Sequence, residues 1–367
     1  MSVSRTPYRF LFAGGGTGGH LFPAVAVAEK IKSLIPEAEI LFVGTKSKIE
    51  GRVVPQLGYK FKSIWIKGFS RKINFENILF PLKVLVSIIQ SIFINMKFKP
   101  NVAIGSGGYV SGPAIFGSSV FGAKIILIEQ NSYPGVTTRL LEKYADEIHI
   151  SFEDSKKYFR NSEKLLLTGN PVRSSINLIN KIEALGKFNL SQEFKTLLVL
   201  GGSLGAHSIN EAVAKMIKKF EEKKIQVIWQ TGSNYIEKYK NLNSNFTKVF
   251  PFIDDMNSAY SACNILLARA GATTIAEVLN LGIPSILVPS PNVAENHQYI
   301  NAKSLSERNA TILIEDKNLN NELSEKIFSI IFDSKKLDEL KKNAIALAKP
   351  DAAEVIAKNA IKYARAI

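Results

Sequence analysis

The sequence predicts an α/β protein made of two Rossmann-like, doubly wound domains separated by a deep cleft, and three observations lead there. The chain has 367 residues, past the size at which one hydrophobic core keeps growing, so two domains are expected and with them a cleft. Apolar runs of strand length alternate with helix-like segments along most of it, the pattern of parallel sheets covered by helices. The chain also echoes itself: Phe10-Leu-Phe-Ala-Gly-Gly-Gly-Thr-Gly-Gly-His20 returns as Leu197-Leu-Val-Leu-Gly-Gly-Ser-Leu-Gly-Ala-His207. Each copy reads as an apolar strand, a glycine turn and a helix start, and such a turn follows the first strand of a doubly wound domain.

In chain order, strands are expected at Arg9–Ala13, Ile40–Val43, Val102–Gly105 and Ile125–Glu129 in the first half. The second half offers Thr196–Leu200, Val227–Thr231, Ile265–Ala268 and Ser285–Val288. The turn-forming cluster Gly169-Asn170-Pro171 marks the boundary, giving domains over 1–169 and 170–349. The last segment, about 350–367, is helix-like after Pro350 and is expected to pack back on the first domain.

Hydrophobic residues at 46% and charged residues at 22% are those of a globular chain that folds throughout. The single cysteine, Cys263, excludes an internal disulfide framework and fits a reducing compartment. Residues 1–8 lack the apolar core and cleavage site of a signal peptide, which points to the cytoplasm. A net charge of +15 calls for an acidic partner: nucleic acid, an anionic membrane or a phosphorylated substrate.

In the first turn, Gly14-x-Gly16-x-x-Gly19 lets the backbone approach a ligand, and the N–H groups opening the next helix can hold an anion. The spacing satisfies the dinucleotide fingerprint, but a nicotinamide site wants an acidic residue after the next strand, where Gly44-Thr45-Lys46 stands. Hydride chemistry is disfavoured. His20, where turn becomes helix, is placed either to take a proton from a ligand or simply to bond backbone.

The segment from Ile265 to Pro284 reads as strand, tight turn, helix, glycine cap and proline. The amides of Arg269–Thr274 would face a pyrophosphate, favoured by the helix dipole. Glu277, near the end of the first turn, either accepts from two ribose hydroxyls or complements the dipole as an ordinary first-turn glutamate. The polar loop Pro289–Gln298 offers Asn296, His297 and Gln298 to sugar hydroxyls, or is simply solvated. Gly105–Pro113 and Glu129–Gly135 follow strands and are expected to border the same cleft. The four histidines show no metal-binding spacing. No metal is expected, and Arg173 or Arg269 is the candidate cation for the diphosphate.

From Lys60 to Pro100, Lys60, Lys62, Lys67, Arg71, Lys72, Lys83, Lys97 and Lys99 surround Trp65, Phe69, Phe75, Ile78, Leu79, Phe80 and Leu82. Basic residues around apolar ones suit an anionic bilayer surface. The uncharged run Val84–Met96 is too short to span a membrane, which takes about 20 residues; a buried helix with a solvated basic edge is the alternative. The aromatics form no RNA-binding signature, so no nucleic-acid partner is expected.

Together, Gly14–His20 with Pro23-Ala24, Gly105–Pro113, Glu129-Gln-Asn131, Gly169-Asn-Pro-Val-Arg173, Gly201–Ala206 and Arg269-x-Gly-Ala-x-Thr-x-x-Glu277 resemble the MurG family. These are the N-acetylglucosaminyltransferases of peptidoglycan synthesis, and the likeness runs in order from about residue 9 to residue 302. The resemblance implies a GT-B fold and inverting transfer of N-acetylglucosamine from its uridine diphosphate donor (UDP-GlcNAc) to the C4 hydroxyl of the muramoyl sugar of lipid I. No cofactor is implied. It implies His20 as the base and donor contacts at Thr17, Gly18, Gly19, Asn131, Arg173, Ser203, Ile253, Ala272, Thr273, Thr274, Glu277 and Gln298. Ser203 and the Ala272–Thr274 amides would meet the diphosphate, Ile253 the uracil, Glu277 the ribose, and Asn131 and Gln298 the sugar. It further implies a peripheral place on the cytoplasmic face of the cell inner membrane, through the Lys60–Leu82 region. A UDP-sugar epimerase or hydrolase of the same fold is the alternative enzyme, and a non-catalytic nucleotide-sugar-binding subunit the alternative without chemistry.

Overall fold

The computed structural model describes residues 8–68, 79–202, 204–293 and 296–365. The chain divides into two compact units: Met1–Arg173 together with Lys349–Ile367, and Ser174–Ala348.

In the first unit, β1 (Arg9–Ala13), α1 (Gly18–Leu34), β2 (Glu39–Gly44), α2 (Ile49–Gln56) and β3 (Lys60–Ser63) are followed by α3 (Phe80–Phe98). Then come β4 (Val102–Gly105), α4 (Ser111–Val120), β5 (Lys124–Glu129), α5 (Val136–Leu141), β6 (Glu147–Ile150) and β7 (Leu165–Leu167). The strands form one sheet in the order β3-β2-β1-β4-β5-β6-β7, and every neighbouring pair is parallel. Strands buried on both faces need continuous apolar runs, and Phe10–Ala13 and Ile125–Ile128 supply them, each residue at most 1% exposed.

The second unit runs α6 (Lys181–Lys187), β8 (Lys195–Leu200), α7 (His207–Ala214), α8 (Ile217–Glu222), β9 (Ile225–Gln230), α9 (Ile236–Tyr239), β10 (Thr247–Phe250) and α10 (Met256–Ala262). It continues with β11 (Ile265–Arg269), α11 (Ala272–Leu281), β12 (Ser285–Val288), α12 (His297–Ser306), β13 (Ile312–Leu313), α13 (Leu319–Ile330) and α14 (Ser334–Leu347). Its sheet has the order β10-β9-β8-β11-β12-β13, again all parallel. Relative to their first strands, both sheets follow the order 3-2-1-4-5-6 of the Rossmann fold, with one strand added in the first. The echoed glycine turns therefore occupy the same topological place, between the central strand and the first helix.

Strands β3, β6, β7, β10 and β13 lie outside the expected set: β7 and β13 are apolar for only three and two residues, and β3, β6 and β10 are interrupted by polar side chains. Lys60–Ser63 is largely exposed and becomes a strand through its parallel pairing with Leu41–Gly44 at the sheet edge. Tertiary pairing there overrides weak local preference.

The final helix, α15 (Ala352–Arg365), belongs to the first unit. Ile356, Ala357, Ala360, Ile361 and Ala364 join the core of Phe10, Phe12 and Ile104, and Lys30 pairs with Glu354 at 2.7 Å. A polar clasp adds to this: Glu147 accepts from Asn359 Nδ2 at 2.9 Å and Tyr363 O–H at 3.2 Å, and lies 3.2 Å from Nε2 of the buried His149. The close approach of His149 is the main cause holding the Glu147 carboxyl below its usual 4.5, against an opposing push from burial. A depressed carboxyl contributes stability above the unfolded value that disappears as pH falls through the folded value. Thermal unfolding is thus expected to lose stability below pH 4.5, and Glu147→Gln to flatten that acid limb; an unaltered limb would refute the assignment.

Helix α3 corrects two expectations. It spans 19 residues, beyond the uncharged run, because Pro81 fits the first helical turn and the flanking lysines continue the helix. At about 1.5 Å per residue it is, by length and composition alone, long and apolar enough to cross a membrane. It is not a buried helix with a solvated edge either. Its buried face is Ser87, Ser91 and Asn95, while Leu82, Leu85, Ile89, Phe93 and Met96 are 45–56% exposed. The small polar face permits close packing on α4: Ser118 Oγ–H donates to Asn95 Oδ1 at 2.7 Å, and a Cβ at Gly117 would lie 3.0 Å from Asn95 Nδ2. The apolar stripe therefore faces away from the core.

Candidate active site

In open parallel sheets, ligands bind beyond the carboxyl ends of the strands where the winding reverses. That point lies between β1 and β4 in the first unit, and between β8 and β11 in the second.

In the first unit, the turn after β1 holds Gly16 at φ +86° and leads into Thr17, the exposed N-cap of α1. Gly18 and the exposed Gly19 open the helix, and His20 is its third residue. His20 Nδ1 lies 3.0 Å from the Ser106 carbonyl and 3.3 Å from Gln130 Oε1. Gln130 Nε2 donates to the same carbonyl at 2.8 Å, which orients the amide with its oxygen toward the ring. Both partners of Nδ1 are acceptors, so Nδ1 bears the hydrogen and, in the neutral ring, Nε2 bears the lone pair. Ser106 Oγ–H fastens the His20 backbone carbonyl at 2.7 Å. The ring rests on Gly107, φ +95°, where a Cβ would come within 2.7 Å of Nδ1.

Asn131 is held by the buried Glu129, whose Oε1 accepts from Asn131 N–H at 3.0 Å while Oε2 accepts from Gly135 N–H at 3.0 Å. Burial raises the Glu129 carboxyl, and hydrogen bonds from Asn131, Thr138 and Gly135 pull the other way. Arg173 stacks its guanidinium 4.8 Å from the centre of the Phe22 ring.

In the second unit, the turn after β8 holds Gly202 at φ +86° and Gly205 at φ +83°; Ser203 lies outside the described residues. Gln230 braces this turn, donating from Nε2 to Gly202 O at 3.1 Å and accepting from the buried Ile253 N–H at 2.9 Å. Helix α11 starts after Gly271, so Ala272, Thr273 and Thr274 present the amides that no helical carbonyl reaches. The Thr273 hydroxyl is buried without a partner.

Glu277 is the sixth residue of α11, and no acidic residue stands in the first turn. The first-turn placement is thus corrected, and dipole complementarity is not what puts a glutamate here. Its Oε2 accepts from the O–H of the buried Tyr260 at 2.6 Å.

Arg269 is also corrected as a diphosphate cation. Its guanidinium binds Asp316, Ser208 Oγ at 2.8 Å, and the carbonyls of Val288 and Pro289 at 3.2 and 3.1 Å. It braces β11, the exit of β12 and the start of α7. His297 and Gln298 begin α12 rather than lying in a loop, after Asn296 in the left-handed region at φ +51°. Gln298 Oε1 accepts from Ser290 N–H at 2.9 Å.

Sequence reasoning missed Gln130, Gln230 and Tyr260. Gln130 lies within the Glu129-Gln-Asn131 motif, whereas Gln230 ends a strand and Tyr260 sits on a separate helix, so their roles are set by distant partners. Among the described residues no group of three His, Cys, Asp or Glu side chains gathers to hold a metal.

Models of the glycosyltransferase family 28 N-terminal and C-terminal domains match residues 10–150 and 196–356. The chain is 41% identical over 358 residues, 97% of each sequence, to a protein of Flavobacterium psychrophilum. That relative is named UDP-N-acetylglucosamine--N-acetylmuramyl-(pentapeptide) pyrophosphoryl-undecaprenol N-acetylglucosamine transferase. The protein of the same name from Cytophaga hutchinsonii is 43% identical, with 95% of each covered. The crystal structure of Acinetobacter baumannii MurG superposes with a TM-score of 0.76 at 25% identity, covering 97% of this chain and all of that one.

Proposed function

The chain belongs to glycosyltransferase family 28, and from that premise we propose that it transfers N-acetylglucosamine from UDP-GlcNAc to the C4 hydroxyl of the muramoyl sugar of lipid I, forming lipid II. The observation that carries the mechanism is the pair of acceptors on His20 Nδ1, which gives Nε2 the lone pair a general base needs. Nε2 takes the proton of the acceptor hydroxyl as its oxygen bonds to the anomeric carbon. The bond from that carbon to the diphosphate oxygen breaks on the opposite face, UDP leaves, and the configuration inverts to β.

The leaving diphosphate gathers negative charge, and the Ala272, Thr273 and Thr274 amides at the positive end of α11 are arranged to receive it with Ser203. Ile253, whose N–H is held by Gln230, offers its backbone carbonyl to the uracil, and Glu277 its carboxylate to the ribose. Thr17, Gly18, Gly19, Asn131 and Gln298 serve the transferred sugar, with Arg173 completing the donor contacts. Incubating the protein with labelled UDP-GlcNAc and a lipid I analogue tests this reading. Transfer supports it; epimerised sugar, or hydrolysis without transfer, would favour the alternative chemistry.

The acceptor is lipid-linked, and the exposed stripe of α3 with Trp65, Lys67, Lys83, Lys97 and Lys99 suits an anionic bilayer. We read the protein as peripheral on the cytoplasmic face of the inner membrane, since α3 already uses its polar face on α4. Arg71 and Lys72, in the same expected patch, lie outside the described residues. The protein is expected to sediment with anionic vesicles at low salt, and Ile89→Asp with Phe93→Asp to abolish this without reducing donor binding. Sedimentation indifferent to both changes would refute the surface.

A further inference from the structure

Glu50 is the second residue of α2 and 1% exposed. A glutamate in a first helical turn ordinarily stays in water and offsets the helix dipole. This one turns inward: Oε2 accepts from Gly16 N–H at 2.9 Å and Oε1 from Thr45 N–H at 3.0 Å. One carboxylate thus ties the turn after β1 to the turn after β2. Glycines make the room, for a Cβ at Gly15 would come within 2.5 Å of the carboxyl carbon, and one at Gly44 within 2.5 Å of Cγ.

In a dinucleotide-binding domain the amides of this glycine turn face the ligand's phosphates. Here the Gly16 amide is given to a side chain of the protein itself. The echoed turn of the second unit differs at Gly202, the counterpart of Gly15: among the described residues, a Cβ there would meet nothing within 4 Å. At Gly15, by contrast, the Glu50 carboxyl carbon lies 2.5 Å from that position.

The filled turn leads directly to the base. Gly16 holds φ +86°, and its neighbour Thr17 caps α1, with its carbonyl accepting from the N–H groups of His20 at 3.3 Å and Leu21 at 3.2 Å. The Gly15 carbonyl also lies against Gly108, where a Cβ would come within 2.5 Å of it, and Gly108 follows the glycine under the His20 ring. A shift of the turn moves both the backbone and the seat of His20.

We propose that Glu50 is a positioning residue for the transfer reaction, an internal anion that occupies the phosphate place of the first glycine turn and thereby fixes His20. The inference rests on the reading of His20 as the base. It assigns donor diphosphate binding to the second unit, because the anion place of the first is taken.

The test uses the full-length protein with UDP-GlcNAc and a lipid I analogue. Glu50→Gln keeps the volume but sets an NH2 group against one of the two amides. It is expected to lower kcat about 10-fold or more while donor KM, which also feels the neighbouring Thr17–Gly19 contacts, changes by less than kcat does, as misplacement of a catalytic group does. Glu50→Ala is expected to lose at least as much, and sodium formate, a carboxylate small enough for the vacated place, to restore part of its kcat while leaving wild type and Glu50→Gln unchanged. A wild-type kcat in Glu50→Gln, a loss confined to donor KM, or a Glu50→Ala rate indifferent to formate would each overturn the proposal. Full turnover in His20→Ala would instead remove the reading beneath it, so the two failures are told apart.

Discussion

Replacing His20 with alanine is expected to lower kcat by about 10²–10⁴-fold, the contribution of a positioned general base. Donor affinity should be nearly unchanged, because Ser106 and Gln130, which hold the ring at Nδ1, belong to the first unit while the diphosphate amides and Glu277 belong to the second. Losing kcat and kcat/KM together marks an interaction made in the transition state. Steady-state rates with titration calorimetry of UDP-GlcNAc separate the two quantities, and unchanged turnover would remove His20 as the base. Gln130→Ala gives a graded companion. Without Gln130 the Ser106 carbonyl still holds the hydrogen on Nδ1, so a smaller loss is expected than for His20→Ala.

Glu277→Ala is expected to weaken UDP-GlcNAc binding by about 10–100-fold, as hydrogen bonds to a charged group contribute about 1.5–3 kcal/mol. Oε2 accepts from Tyr260 O–H at 2.6 Å, and since a carboxylate oxygen has two lone pairs, this bond orients the group without exhausting it. Tyr260→Phe should therefore weaken binding less than Glu277→Ala does. A donor analogue lacking both ribose hydroxyls provides the control. Wild type should bind it as poorly as Glu277→Ala binds the natural donor, and Glu277→Ala should not distinguish the two. Equal affinity of wild type and Glu277→Ala for UDP-GlcNAc would sink the ribose assignment.

Much of this architecture was legible in one dimension because parallel strands buried on both faces must be continuous apolar runs. The eight runs read from the sequence are strands, and β1, β4 and β12 match the expected ends without adjustment. Those that escaped notice are short or polar members such as Lys60–Ser63 and Thr247–Phe250, which owe their conformation to a neighbour. Position along a helix was harder to read. Glu277, the sixth residue of a helix that opens at Ala272, lies in the second turn rather than near the end of the first, and His297 and Gln298 are helical because Asn296 adopts a left-handed N-cap.

The repeated strand-turn-helix units, the two glycine turns, the position of His20 at a helix start and the family to which these belong can all be read along the chain. All are local patterns, set by residues adjacent in the chain. How each polar group is used emerges on folding: Arg269 braces Asp316 and two carbonyls, α3 buries its serines and presents its leucines, and Glu50 fills one glycine turn. The physical reason is that a buried polar group must find a partner wherever the fold brings one, and for Glu50, Tyr260 and Arg269 that partner lies on a different element.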